Sequence, residues 1–202
     1  MKRALLLIAS ALCVSCGSGS QKHVWNPAVA RQSHPFGYYN TQVEARWDRD
    51  GRNMTITKEL RYVDPDGVVW VAPVGSVVDG ASIPRILWPV LGGPFEGKYR
   101  AASVLHDVAY DQHTRSWAQC DRMFYNAMRC SGVGPIEAKT MYFALYRHGH
   151  HWREPRVFAG VKGEAESGLP QASPEPLQSA HDWIARHDPS LAEIEARAQK
   201  NP

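Results

Sequence analysis

Apolar and polar residues change their spacing along this chain, from every second position to every third or fourth. Val43, Ala45 and Trp47 alternate with polar neighbours, and Met54, Ile56, Leu60 and Tyr62 keep one parity through a longer stretch. A strand points successive side chains to opposite faces, so the pattern predicts strands with one face on a core. Residues 48–51 supply a turn between the two stretches. Asp64-Pro65-Asp66-Gly67 marks a second turn before the apolar residues 68–72, because Pro presets its φ and Gly accepts a positive one. These segments predict a small antiparallel sheet of three or four strands.

Residues 73–98 are rich in Gly and Pro and are expected to form a long structured loop. Helical spacing takes over after it, predicting three helices over residues 99–112, 116–129 and 135–148. Ser116 suits an N-cap, Pro135 the first turn of the third helix and Gly149 its stop. The fold class is therefore α+β, a small antiparallel sheet followed by a three-helix unit, with residues 37–153 as the globular domain. Residues 154–202 read as an appended Pro/Glu-rich tail with one short amphipathic helix over 180–200. That helix carries a Ser190–Glu193 capping box. No internal repeat is apparent.

Composition fits this picture. The 202 residues suit one domain with appendages, and 44% hydrophobic with 21% charged residues excludes a disordered chain. The net charge of +3 is scattered without a basic stripe, so nucleic acid is not an expected partner.

The N-terminus changes the picture more. Met1-Lys2-Arg3 precedes an apolar run over residues 4–14 of signal-peptide length, too short for the roughly 20 residues that span a bilayer. Ser15-Cys16-Gly17 resembles the bacterial lipoprotein cleavage box. The expectation is an exported envelope protein: residues 1–15 a signal peptide, Cys16 lipidated, and residues 16–36 a tether to the membrane. Conventional cleavage nearby, giving a free periplasmic protein, is the alternative. Cys120 and Cys130 lie ten residues apart in one expected helix. That is about 15 Å along the axis, beyond the ~7 Å between Cα atoms that a disulfide tolerates. Buried free thiols are expected.

The sharpest chemical signal sits on the second helix. At 100° per residue Trp117, Cys120, Phe124, Ala127 and Met128 form an apolar stripe, and Asp121 falls inside it. A carboxylate there costs several kcal/mol unless it is paired, hydrogen-bonded or protonated. On the first helix His106 and Tyr110, four residues apart, flank the apolar face of Ala101, Val104, Leu105, Val108 and Ala109, while Asp107 points toward the loop side or solvent. An antiparallel helix pair would set Asp121 against His106 or Tyr110. A carboxylate on one imidazole nitrogen fixes the tautomer and leaves the other as a base, yet the same pair can be a purely structural lock.

The motifs Val78-Asp79-Gly80-Ala81-Ser82-Ile83-Pro84, His106-Asp107-x-x-Tyr110, Asp121-x-x-Phe124 and Gly132-Val133, in that order, resemble the bacterial and phage family DUF1353 over about residues 37–150. That family supplies no activity to carry over. More distantly, His-Asp-x-x-Tyr with an Asp on the next helix is similar to the phospholipase A2-type site. This resemblance implies His106 as the base that activates water and Asp121 as its orienting carboxylate, with Tyr110 hydrogen-bonded to Asp121. It implies calcium as cofactor, with Asp107 as ligand and Gly92 and Gly93 in the calcium loop, and a phospholipid as substrate. Calcium is a hard ion that prefers such oxygens.

Other polar clusters read as structural. Asp79 and Ser82 suit an ordinary turn. His148 and His151 offer a zinc pair, but a solvated or membrane-facing basic helix end is the expectation. Three functions remain open: a calcium-assisted lipid-ester hydrolase, a non-catalytic envelope or phage-derived interaction protein in which His106 and Asp121 only lock helices, and hydrolysis of some other envelope substrate by the same pair.

Overall fold

The computed structural model describes residues 34–80, 97–152 and 174–200. Among these residues six short strands precede five helices: β1 Tyr38–Tyr39, β2 Ala45–Trp47, β3 Met54–Ile56, β4 Leu60–Val63, β5 Val69–Ala72 and β6 Val77–Val78, then α1 Arg100–Gln112, α2 Trp117–Cys130, α3 Pro135–His148, α4 Pro174–His187 and α5 Leu191–Gln199. The α+β expectation holds, with two corrections.

First, the strands form two three-stranded antiparallel sheets, in the orders β1-β4-β5 and β2-β3-β6. The stretch read as one long strand through Met54 and Tyr62 breaks after Ile56, and its halves pair in different sheets. Asn40 helps to hold the break open: its amide donates to the Glu59 carbonyl at 3.3 Å and its Oδ1 accepts the Arg61 amide at 2.7 Å. Parity survives the break, because Ile56, Leu60 and Tyr62 are all buried. The β4–β5 turn forms as its residues dictate. Gly67 sits at φ 81°, and Asp64 accepts the amides of Asp66 and Val68 and, through Oδ2, the indole N–H of Trp70. Register then sets Tyr62 opposite Trp70.

Second, the tail carries two helices instead of one. Asp188, at φ 44°, precedes Pro189 and ends α4; the Ser190–Glu193 capping box then starts α5. Both pack on α3, contributing Leu177, Ala180, Ile184, Ile194 and Ala198 to the core. Glu195 Oε1 accepts from the Tyr142 hydroxyl at 2.6 Å and from Arg122 at 2.5 Å, which ties α5 to α3 and α2.

The remaining helices match their sequence signals. Ser116 and Gln119 form a reciprocal capping box on α2, and Pro135 opens α3. A 3₁₀ turn, Gly97–Tyr99, leads into α1. α1 lies between β5 and α2, and α2 packs on α3, so the sheet face, α1, α2 and α3 succeed one another as layers of one core. This succession places the inner flanks of α1 and α2 at the centre of the domain. Cys120 and Cys130 are free thiols, the first buried and the second half-buried.

Candidate active site

α1 and α2 are joined by a short turn and run side by side, so residues on their facing flanks meet. His106 and Asp121 are both fully buried, and His106 Nε2 lies 3.0 Å from Asp121 Oδ1. The Tyr110 hydroxyl donates to the same oxygen at 2.5 Å. Burial, then the negative charge of Asp121 and the hydrogen bond to it, hold the Tyr110 phenol well above its ordinary pKa, so it keeps its proton and acts as donor. As a carboxylate, Asp121 only accepts, and one of its oxygens can take two hydrogen bonds. Nε2 therefore supplies the second hydrogen to Oδ1, and Nδ1 is the nitrogen turned away from the carboxylate. The other Asp121 oxygen, Oδ2, is buried and accepts no hydrogen bond among the described residues.

Aromatic rings enclose the group. His106 lies 4.0 Å from Tyr110 and 4.9 Å from Phe124, centroid to centroid. Phe124 belongs to the apolar stripe that made Asp121 conspicuous; Cys120, Ala127 and Met128 from that stripe are buried with it.

Asp107 has a different task from its neighbour. It is 8% exposed, and its Oδ2 accepts the amide of Gly80 at 2.6 Å. It thus pins the Val78-Asp79-Gly80 segment, where Gly80 adopts φ 71°, to the middle of α1. The solvent-facing alternative for Asp107 is overturned, and the loop-side one holds. Asp79 meets Arg52 at 3.6 Å, an exposed pair that adds little. Cys16, Ser82, Gly92 and Gly93 lie outside the described residues.

The histidines after α3 are engaged with aromatic rings. His151 stacks on Trp117 at 3.6 Å, and His150 stacks on Trp152 at 6.2 Å. Desolvation lowers the pKa of His148 and of His151. Among the described residues, no three or more His, Cys, Asp or Glu side chains are grouped to hold a metal ion. Two contacts were not foreseen from sequence: Trp152 meets the Tyr110 ring edge-on at 4.9 Å, and Gly149 comes close to its hydroxyl. Gly149 announced itself only as a helix stop, and Trp152 carried no periodic signal at all.

The class defined by this fold and site is an α+β domain whose two adjacent helices bury a His–Asp–Tyr constellation. Residues 54–145, which include all three side chains, match the family described as a protein of unknown function (DUF1353). Two relatives from Sinorhizobium fredii (strain NBRC 101917 / NGR234) are similar to this chain. The uncharacterized protein y4jT is 38% identical over 127 residues, 62% of this chain and 38% of its own length. The uncharacterized protein y4iH is 38% identical over 103 residues, 51% of this chain and 43% of its own length. The chain thus spans less than half the length of these relatives. No solved structure matches. None of these matches carries a phospholipase description.

Proposed function

We propose that this domain is a hydrolase in which His106 activates water against an ester, with Asp121 and Tyr110 holding the imidazole in its reactive tautomer. The observation that carries the reading is the 3.0 Å contact between His106 Nε2 and Asp121 Oδ1, completed by Tyr110 on the same oxygen. Nδ1 would accept a proton from water as the hydroxide adds to the carbonyl carbon. The imidazolium that results is stabilised by Asp121 and returns the proton to the departing alkoxide. A dry, apolar surround strengthens that stabilisation relative to water.

The substrate proposed is a lipid ester of the cell envelope, reached by a domain that is exported and tethered through a lipidated Cys16. Support for the export and the tether comes from the N-terminal sequence. No helix among the described residues is long and apolar enough to cross a membrane. Intact-mass analysis of membrane-extracted protein tests the anchor: a diacylated Cys16 at the mature N-terminus is expected, and an unmodified N-terminus excludes it.

Calcium assistance is the part of the reading with least support in the donor set. Calcium takes six to eight oxygens. Asp107 is the carboxylate offered beside the base, and one of its oxygens already accepts the Gly80 amide. These donors alone do not fit the ion, and no step is routed through it. Titration with calcium, with Asp107→Asn as control, decides the matter; heat of binding lost in Asp107→Asn is the outcome that would support a site there.

A second reading is favoured by burial. His106 and Asp121 expose no surface, as in a hydrogen-bonded lock between helices. The experiment that separates the two is release of fatty acid from phospholipid vesicles. The hydrolase reading expects turnover by the wild type and at least a hundredfold loss in His106→Gln. Absence of wild-type turnover, with a lower melting temperature for His106→Gln, leaves the lock.

A further inference from the structure

We propose that Trp152 is a positioning residue for Tyr110, and through it for Asp121 and His106, so that the site extends onto the segment after α3. Its kinetic consequence rests on the hydrolase reading above; its structural content does not.

The phenol of Tyr110 is gripped from two sides. The His106 ring lies 4.0 Å away at 36°, and the Trp152 indole meets it on another side at 4.9 Å and 87°. Edge-to-face contact of this kind has a preferred geometry, because the electropositive rim of one ring meets the electronegative face of the other. It therefore directs a ring as well as filling space. Trp152 is itself fixed from two directions. Its Nε1 donates to the Arg115 carbonyl in the α1–α2 turn at 3.0 Å, and His113, the left-handed residue that ends α1 at φ 50°, stacks on it at 4.2 Å. One indole thus joins the end of α1, the turn into α2 and the exit from α3.

Gly149 supplies the space for this arrangement. A Cβ at this position would lie 3.1 Å from the Tyr110 hydroxyl and 2.5 Å from the Leu145 carbonyl. The chain leaving α3 can close down on the phenol only because it carries no side chain there. Tyr110 is consequently held with its hydroxyl toward Asp121 and shielded from water. The family match ends at residue 145, so Gly149 and Trp152 lie beyond the matched segment while completing the enclosure of a residue inside it.

The test uses the full chain with tyrosine labelled by ¹³C at Cζ, Tyr110 being assigned from the signal lost in Tyr110→Phe. Trp152→Leu is expected to move the Tyr110 resonance and to let the phenol ionise at lower pH than in the wild type. Trp183→Leu removes an indole from α4 and is expected to leave Tyr110 unchanged. Trp152→Phe keeps a ring but loses the bond to Arg115, and a smaller shift in the same direction is expected; this variant decides if Trp152→Leu does not fold. A Tyr110 signal unchanged in both Trp152 variants, or moved equally by Trp183→Leu, overturns the proposal. In the vesicle assay, Trp152→Leu is expected to lower kcat roughly tenfold with little change in KM. A wild type that turns over no ester sinks the hydrolase reading alone, and the Tyr110 resonance still decides the role of Trp152.

Discussion

Two donors share one oxygen of Asp121, and that sharing sets the ranking of substitutions at the site. Asp121→Ala leaves an imidazole N–H and a phenol O–H buried without an acceptor, on top of the cavity it opens. A loss of about 3–5 kcal/mol is expected, by analogy with breaking a buried pair from one side. Tyr110→Phe removes one donor and leaves His106 on Oδ1, so about 1–2 kcal/mol is expected. Urea unfolding of the two variants checks the order, and a larger loss in Tyr110→Phe would show that the phenol alone carries the lock. The thiols give a pH dependence at the same scale. Burial pushes the Cys120 thiol up from its ordinary range to about 12 and the Cys130 thiol to about 11. A thiol raised in the folded state stays neutral there while its unfolded counterpart ionises. Its contribution is therefore complete below about pH 9 and declines as the pH rises through the folded values. The urea midpoint should fall across that alkaline window, and less steeply in Cys120→Ala; equal slopes would place the titration elsewhere.

Elements differ in how plainly their residues announce them. α3 was legible from end to end, because Pro135 and Gly149 punctuate a helical pattern at both boundaries. α2 was legible through Ser116, whose hydroxyl accepts the Gln119 amide at 3.3 Å while Gln119 Oε1 takes the Ser116 amide at 3.1 Å. Ser116→Ala should cost about 1 kcal/mol in thermal or urea unfolding, the usual worth of an N-cap, and no loss would mean that packing alone holds the end. Asp121 was legible as a carboxylate out of place, and its pairing with α1 followed from that misplacement. The two sheets were not legible. Ile56 and Leu60 are four residues apart, so a bend between them keeps the alternation intact while sending β3 and β4 to different partners. β1 was missed because two residues are too few to show a period. Its place depends instead on Gly37 at φ +84°, where a Cβ would stand 2.1 Å from the Val63 carbonyl. α4 was hidden by composition, since its first turn holds Pro174 and Pro176, residues that read as loop yet are tolerated where a helix begins. The Asp188-Pro189 break was visible in principle, because the residue before a proline avoids helical angles.

At the scale of the whole molecule, the question is whether α4 and α5 are an appendage or part of the cooperative unit. Composition suggested the former, and the family match stops short of them. The burial of α3 argues for the latter. Seven of its residues are buried, Ala138 and every position from Thr140 to Leu145, so it has no single inward face. A helix buried nearly all round needs neighbours on both sides, and here α2 covers one and the C-terminal pair the other. Ile184 and Ile194 are fully buried at that second contact, and Lys139 meets Asp188 at 2.5 Å beside it. Removing the pair would leave α3 with an apolar face in water. Ile184→Ala should accordingly cost about 2–5 kcal/mol, the range for emptying a core aliphatic site. Its effect should also spread. Native-state hydrogen exchange is expected to rise in α3 together with α4 and α5, while β4 and β5 keep their protection, since regions that open together form one cooperative unit. Faster exchange confined to residues 174–199 would make the C-terminal pair an appendage after all. Loss of protection in α3 would instead carry to the exit segment of Gly149 and Trp152, and so to the tyrosine on which Asp121 depends.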